Sequence, residues 1–386
     1  MAKRPTYEKD IQGGINRFDE RDMVFARQDL IRYFGIDSDQ YHQYFTEHPD
    51  AAKFHTQLSK KTPLGGLNPT DAPMFRAQFN LIDLIGTESM VDGEPAKKRM
   101  DFSPDRAYRK IKETARVYGA DIVGVGPLRQ EWTYSHIGTT GGDQTGYKPW
   151  GTRIDLSAHA SAIAMGFHMN LDLLKTAPYF PTMLATAQAY AQSAWAAVRV
   201  ADYIRQLGYS ARAHHFSNYQ VLVVPVAVDC GLGELSRAGF LLTKEYGSGV
   251  RLSVVTTDMP LAYDEPIDIG VQSFCEQCLI CAEECPSGAI PLGEKTLHNG
   301  VMKWKLDEQK CYSYWHVNGT DCGICAVVCP WTKPHTLFHQ MNAEIASVKG
   351  PHQRLMAWAE RAVYGRYKPT PPPDYIDFPP KKNNKN

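Results

Sequence analysis

The sequence predicts a mixed helix-and-sheet protein that carries a small cysteine-rich module toward its C-terminal end. Two observations predict it. From residue 101 onward, segments of helical period alternate with short apolar runs bounded by glycine and proline. Eight of the nine cysteines then fall between Cys275 and Cys329, so their chemistry is confined to one stretch. A length of 386 residues leaves room for one large core unit and a smaller module. A formal net charge of zero argues against a nucleic-acid or anionic-membrane partner reached by bulk electrostatics. No apolar run approaches the roughly 18 residues that read as a membrane span, and no signal peptide is visible at Met1.

Residues 1–100 read as mixed and loop-rich. INRFDERDMVFARQ (15–28) is charged, with Phe18, Met23 and Phe25 spaced as in a packed segment with a solvated face. Pro63, Gly65, Gly66, Pro69 and Pro73 mark an irregular stretch. DRAYRKIKETARVYG (105–119) spaces Ile111, Ala115 and Val117 as a helix does and ends at Gly119. ADIVGVGPL (120–128) reads as a buried strand running into a loop. Residues 129–160 are loop-like. TMLATAQAYAQSAWAAVRVADYIRQLG (182–208) is a long alanine-rich helix closed by Gly208. VLVVPVAV (221–228) reads as an apolar core strand, GELSRAGFLLTKEYG (233–247) as a helix and VRLSVVTTDMPL (250–261) as a strand. Beyond Trp331, HQRLMAWAERAVYG (352–365) has helical spacing, and KKNNKN is too polar to pack.

Two glycine-rich turns invite a dinucleotide reading. Neither Gly124 with Gly126 nor GLGELSRAG (231–239) completes G-x-G-x-x-G at the head of a βαβ unit, so NAD and FAD are rejected. The turns still allow close backbone approach to a large planar or phosphate-bearing ligand.

The cysteines carry the sharpest signal. Cys275, Cys278, Cys281 and Cys285, followed by Pro286, form C-x2-C-x2-C-x3-C-P. Cys311, Cys322, Cys325 and Cys329, followed by Pro330, form the second half. The first run resembles that of bacterial two-cluster ferredoxins, in which the fourth cysteine ligates the other cluster. The expected sets are therefore Cys275, Cys278, Cys281 and Cys329 for one [4Fe–4S] cluster, and Cys285, Cys311, Cys322 and Cys325 for the other. Two zinc ribbons would also use C-x2-C pairs, but zinc has no use for this order. A disulfide framework belongs to smaller secreted chains. Cys230, the ninth, follows an apolar run and reads as a buried structural thiol.

Beyond the cysteines, LGYSARA, NYQ, VPVAVDCGLGELSRAGFLLTKEYGSGVRLSVVTTDMPL and EPIDIGVQSFCEQCLICAEECPSGAI resemble the catalytic subunit of respiratory reductive dehalogenases. NRFDERDMVFAR (16–27) is similar to the start of their mature form after removal of a twin-arginine signal. The resemblance is strongest from about 182 to 335. It implies an α+β fold: a nitroreductase-like corrinoid-binding domain joined to a ferredoxin-like domain with two [4Fe–4S] clusters. The expected division is 1–100 for an N-terminal unit, 101–268 for the corrinoid-binding catalytic domain, 269–340 for the cluster domain and 341–386 for a C-terminal extension. A cobalamin-type corrinoid, held base-off, is implied, and none of the thirteen histidines lies in a D-x-H-x-x-G motif that would ligate cobalt.

The resemblance also assigns roles. A tyrosine donates a proton above the cobalt, an arginine tunes it and an asparagine helps position the site. By motif order these are Tyr190, Arg251 and Asn218. A phenol is protonated at neutral pH, and a nearby guanidinium stabilises the phenolate it leaves. Plainer readings stand beside these. Tyr190 could be core packing, Arg251 an ion-pair partner of Asp258 or Glu245, and Asn218 a turn residue with Tyr219 and His215 as neighbours. Glu234 and Arg237, with Gly231 and Gly233, would hold the corrinoid or cap a helix.

The expected activity is replacement of halogen by hydrogen in a small organohalide, a chlorinated alkane or alkene. Electrons from a low-potential donor would cross the two clusters to the cobalt. The resemblance further implies a small membrane-anchor subunit and a peripheral location on the outer face of the cytoplasmic membrane, with no nucleic-acid partner; a homodimer is allowed. Two rivals use overlapping parts. Epoxyqueuosine reductase, which acts on tRNA, has a GLGW-type turn where this chain has GLGE. A ferredoxin-type electron carrier would not need the roughly 270 residues that precede the clusters.

Overall fold

The computed structural model describes residues 3–58, 69–139, 146–334 and 336–377. Pro63, Gly65, Gly66 and the KKNNKN end lie outside the described residues. The architecture is α+β. The N-terminal hundred residues hold more helix than their composition announces, including Asp39–Phe45, Pro49–Leu58 and Ala72–Ile85 (α1). Pro73 sits in the first turn of α1, where its missing N–H would be unpaired anyway.

The expected helix after residue 104 is Pro104–Val117 (α2), and the expected strand is Ile122–Pro127 (β1). Next comes Ser161–His168 (β2), a strand with a single β-branched residue, Ile163. Its backbone is drawn into the sheet by position rather than propensity. The long helix spans Phe180–Gln206 (α3), 27 residues and about 40 Å. Ala211–His214 (β3) follows.

Two expectations fail here. VLVVPVAV is not a strand: Val223–Asp229 form a short helix (α4). Pro225 falls in its first turn, where no intrahelical N–H is lost. GELSRAGFLLTKEYG is not a helix: Glu234–Leu235 (β4) and Leu241–Leu242 (β5) pair antiparallel around a tight turn. Gly239 there has φ +82° and Gly247 φ +57°, which a helix could not contain. A Cβ on Gly233 would also stand 2.2 Å from the Leu242 carbonyl oxygen.

Val250–Thr257 (β6) completes a four-stranded antiparallel sheet of order β1-β2-β6-β3. Its inner strands β2 and β6 are buried on both faces. One face packs on α3, joining Ile163, Met165, Phe167 and Val255 to Ala191, Ala194, Ala197 and Val200. The alanines are what let so long a helix lie close to the sheet. The other face packs on α4 through Ala162, Ala164, Leu252, Val254, Val226 and Val228. Cys230 is fully buried in this second core, as a structural thiol would be. The N-terminal segment is tied to it by Tyr7, whose hydroxyl donates to Asp229, while Trp132 Nε1 donates to the same carboxylate at 2.8 Å.

The cluster module begins with Val271–Cys278 (α5). A hairpin, Thr296–His298 (β7) with Val301–Lys303 (β8), leads to Glu308–Asn318 (α6). Leu337–Ser347 (α7) and His352–Tyr364 (α8) close the described chain, and α8 packs on α5 through Ala357 and Met356. The helix expected at 352–365 is thus present, and α7 is an addition to it.

Candidate active site and cluster module

The two cysteine runs share a local geometry. Cys275 and Cys278 lie on α5, and Cys281 lies in the next turn, Ile280–Glu283. Between them Leu279 takes φ +54°. In the second run Gly323 takes φ +69° at the same place between Cys322 and Cys325. The two runs therefore share one local turn, and Leu279 adopts it at a conformational cost that glycine avoids.

Burial pushes the Cys275 thiol up to about 12, with Cys329 adding to the rise. Burial also raises Cys278, reinforced by Cys275, Cys329 and Cys281. In the other set burial raises Cys311 to about 11, helped by Cys285, and Cys322 to about 12, helped by Cys311 and Cys285. Cys325 is raised by burial, then by Cys322, Cys311 and Cys285. Cys329 is thus felt from the first run and Cys285 from the second. Cys281 also feels Cys325, so the sets adjoin. Among the described residues no three ligating side chains are placed to hold a single metal ion. No disulfide joins any of the cysteines.

Arg237 belongs to this module. It is 3% exposed, and its Nε donates to the Cys275 carbonyl at 2.9 Å. Its Nη1 donates to the Pro291 and Gly293 carbonyls at 2.8 and 3.0 Å. The guanidinium lies 4.4 Å from the centroid of Trp304. Burial lowers its pKa, and Cys275, Cys281 and Cys278 oppose that shift. Glu234 is fully buried and accepts from the Ile269 and Val271 amides at 2.7 and 3.1 Å, securing the start of α5. The missing Cβ atoms of Gly231 and Gly233 make room for protein backbone: the Glu265 carbonyl at 2.6 Å and the Leu242 carbonyl at 2.2 Å. The structure thus places Glu234 and Arg237 at the cluster module.

The second centre sits between α3 and β6. Strand period two puts Arg251 on the same face as Val255, toward α3. Its guanidinium lies 5.1 Å from the centroid of the half-buried Tyr190 ring, a cation–π distance. Phe216 packs against the same ring at 4.6 Å. Arg251 Nη2 donates to Thr186 Oγ1 at 3.0 Å, and Thr186 donates to Asp321 Oδ2 at 2.9 Å. Burial raises the Asp321 carboxyl, while Arg251 and then Thr186 pull it back. Asp258, offered by the sequence as a partner of Arg251, pairs instead with Arg99 at 2.8 Å.

Tyr219 adjoins the same centre. Burial raises its phenol well above the ordinary value, Tyr190 adds to that, and Arg251 opposes it. Its hydroxyl donates to the Leu252 carbonyl at 2.9 Å. Asn218 is occupied differently. Its amide nitrogen donates to the Gly86 carbonyl at 2.7 Å and to Glu88 at 3.1 Å, and its oxygen accepts from Arg212 at 2.8 Å. The structure brings Tyr190 and Arg251 together and binds the Asn218 amide into the Arg212–Glu88 network. Burial lowers His215 to about 4, and its ring faces the Phe216 and Ile85 carbonyls.

Thr186 and Asp321 were not singled out from sequence. The signals available were the four-residue step from Thr186 to Tyr190 on a helix and the acidic residue directly before Cys322.

Arg251 Nε and Asp321 Oδ1 are buried without a protein partner. One is a donor and the other an acceptor. A carboxamide offers the complement of that pair, and a cobalamin-type corrinoid carries carboxamides around its ring. The residues present therefore fit such a group.

Known proteins resemble this chain in the cluster module and across the fold. Residues 274–333 match the family model described as a 4Fe-4S dicluster domain. The tetrachloroethene reductive dehalogenase of Sulfurospirillum multivorans is 37% identical over 256 residues, covering 59% of this chain and 51% of that protein. An epoxyqueuosine reductase from Aliivibrio fischeri is 27% identical over 180 residues, 42% of this chain and 44% of that one. Among solved structures, a reductive dehalogenase whose structure suggests a mechanism for B12-dependent dehalogenation superposes with a TM-score of 0.72 at 27% identity, covering 94% of this chain and 48% of that one. The chain spans about half the length of the relatives it matches. By sequence and by fold it is similar to the reductive dehalogenases over about half of their length.

Proposed function

We propose that the chain carries the catalytic centre of a corrinoid- and iron–sulfur-dependent reductive dehalogenase. The observation that carries this reading is the pair formed by Tyr190 and the Arg251 guanidinium 5.1 Å from its ring centroid, linked through Thr186 to the residue before a cluster cysteine. In the overall reaction a carbon–halogen bond breaks and a carbon–hydrogen bond forms. Two electrons and one proton enter, and halide leaves. Cys275, Cys278, Cys281 and Cys329 would hold one cluster; Cys285, Cys311, Cys322 and Cys325 would hold the other. A bound corrinoid would supply a cobalt that can deliver low-potential electrons to the substrate.

The chain's own residues do the rest. Tyr190 holds the proton at Oη, and the Arg251 guanidinium stabilises the phenolate left after transfer. Phe216 walls the ring on one side and limits access of water. The cluster held by Cys322 is the nearer relay, because its loop reaches α3 through Asp321 and Thr186. The name of the Sulfurospirillum relative supports the chlorinated alkene among the expected substrates. The same reading includes the division 1–100, 101–268, 269–340 and 341–386, a low-potential electron donor, and peripheral attachment outside the cytoplasmic membrane through a small anchor subunit. No helix among the described residues is long and apolar enough to cross a membrane.

The test is a halide-release screen. The full chain is loaded with iron, sulfide and hydroxocobalamin, given a reduced viologen as electron donor, and offered chlorinated ethenes, chlorinated alkanes and halogenated phenols. Halide release from a chlorinated aliphatic supports the reading. Turnover of an epoxyqueuosine-containing tRNA stem loop, with no halide released from any organohalide, would replace it.

A further inference from the structure

We infer that Asp321 is a positioning residue for Arg251 and Tyr190, and that it acts through Thr186. The inference deepens the dehalogenase reading and rests on it. Thr186 stands four residues before Tyr190 on α3, so both side chains share one helix face. Arg251 can only donate, so its bond to Thr186 Oγ1 uses that oxygen as acceptor. The single hydroxyl proton is then left for Asp321 Oδ2. The chain has one direction: guanidinium to hydroxyl to carboxylate.

Both ends of this chain matter. Thr186 and Asp321 are each 8% exposed, so water does not compete freely for their bonds. The other hydrogen bond of Arg251, to the carbonyl of neighbouring Val250, is long at 3.4 Å. Without Thr186 the guanidinium keeps only that bond and its stacking on Tyr190. A side chain so rich in rotamers would leave the ring for much of the time. At the far end Asp321 precedes Cys322 in the chain. Gly323 packs the same loop onto α3, where a Cβ would stand 2.5 Å from the Thr182 methyl. The cation that serves the proton donor is therefore fixed to the loop that holds a cluster ligand.

A loop staple with no role at Tyr190 would make the same hydrogen bonds, so the test needs readouts that a staple would not move. The full chain, loaded with iron, sulfide and hydroxocobalamin, is compared as parent, Thr186→Val, Thr186→Ser and Asp321→Asn. Iron and cobalt are counted first. Turnover and KM are then measured by halide release, and both cluster potentials by redox-poised electron paramagnetic resonance. Thr186→Val should lower kcat at least tenfold with KM within threefold and both potentials unmoved. Thr186→Ser should restore kcat to within threefold of the parent. Asp321→Asn should lower kcat at least threefold with KM within threefold, because a neutral amide holds the Thr186 hydroxyl less firmly than a carboxylate.

Turnover of Thr186→Val within twofold of the parent would overturn the inference. So would loss of iron from both variants, which is what a staple predicts. Failure of the dehalogenase reading looks different: the parent itself would release no halide, whatever the potentials do.

Discussion

Tyr190→Phe is the sharpest perturbation of the proposed mechanism. Phenylalanine keeps the ring that packs on Phe216 at 4.6 Å and faces the Arg251 guanidinium at 5.1 Å. Only Oη is removed, so folding free energy should change by less than about 1 kcal/mol. A positioned general acid contributes roughly 100- to 10,000-fold, which corresponds to about 3 to 5 kcal/mol of barrier. The variant should therefore contain the parent's iron and cobalt, show its cluster signals, and release halide at least 100-fold more slowly. Tyr219→Phe is the control, since Tyr219 adjoins the same arginine. It should cost about 1 to 3 kcal/mol of stability, because the Leu252 carbonyl loses the hydroxyl that bonds it at 2.9 Å, yet keep turnover within a few fold. If Tyr190→Phe turns over within threefold of the parent, Tyr190 is not the proton donor. If Tyr219→Phe is the variant that fails, the two phenols have been assigned in the wrong order.

Three further outcomes follow from other parts of the molecule. Arg237→Gln removes a buried cation beside Cys275, Cys278 and Cys281; at a separation on the order of 7 Å and an effective dielectric of about 20, its attraction for one added electron is about 2 kcal/mol, so redox-poised spectroscopy should find that cluster roughly 100 mV more negative, with Arg237→Lys in between. Burial raises the Glu20 carboxyl to about 7 against the Gly138 and Thr139 bonds that lower it; the folded state thus holds a proton that the unfolded chain releases near 4.5, so its share of stability is full below about pH 4.5 and falls through about pH 7 by roughly 3 kcal/mol, and Glu20→Gln should flatten that slope in chemical denaturation measured across this window. Gly233→Ala forces a Cβ to 2.2 Å from the Leu242 carbonyl, and should lower both the melting temperature and the iron retained, because the next residue, Glu234, secures the start of α5.

The cysteine module was legible because ligation leaves its spacing in the chain: each thiol must reach one corner of a cluster, so the intervals are short and fixed. The long helix was legible because alanine favours helix and the run is 27 residues long. VLVVPVAV misled for a physical reason. Its valines favour strand, but both faces of the segment are satisfied by packing α4 on the back of the sheet, and Pro225 fits a first helical turn. The strand Ser161–His168 gave the opposite difficulty, since its alanines and glycine carry little β preference. Arg251 could be placed from motif order, and strand period then fixed its face. Thr186 and Asp321 could not. Their hydrogen bonds span 65 and 135 residues of chain, and only the tertiary fold closes those distances.

GLGELSR makes its closest contacts with protein. Its glycines suggested close approach to a ligand, and the approach is real, but the atoms they admit are the Glu265 and Leu242 carbonyls. Its charged residues suggested a grip on a cofactor, and they do grip: Glu234 holds the amides of Ile269 and Val271, and Arg237 holds the carbonyl of Cys275. Both bonds reach the helix that carries the first two cysteines. On the opposite side, Thr186 holds Asp321, one residue before Cys322. The sheet-and-helix unit therefore touches each cysteine run through a buried polar contact as well as through apolar packing. Apolar contact alone would tolerate small sliding between the two units, because it has no preferred direction. Hydrogen bonds to a named backbone amide or carboxylate do not. These directional joints fix where each cysteine run lies relative to Tyr190, and the proposed electron relay would depend on that separation staying fixed.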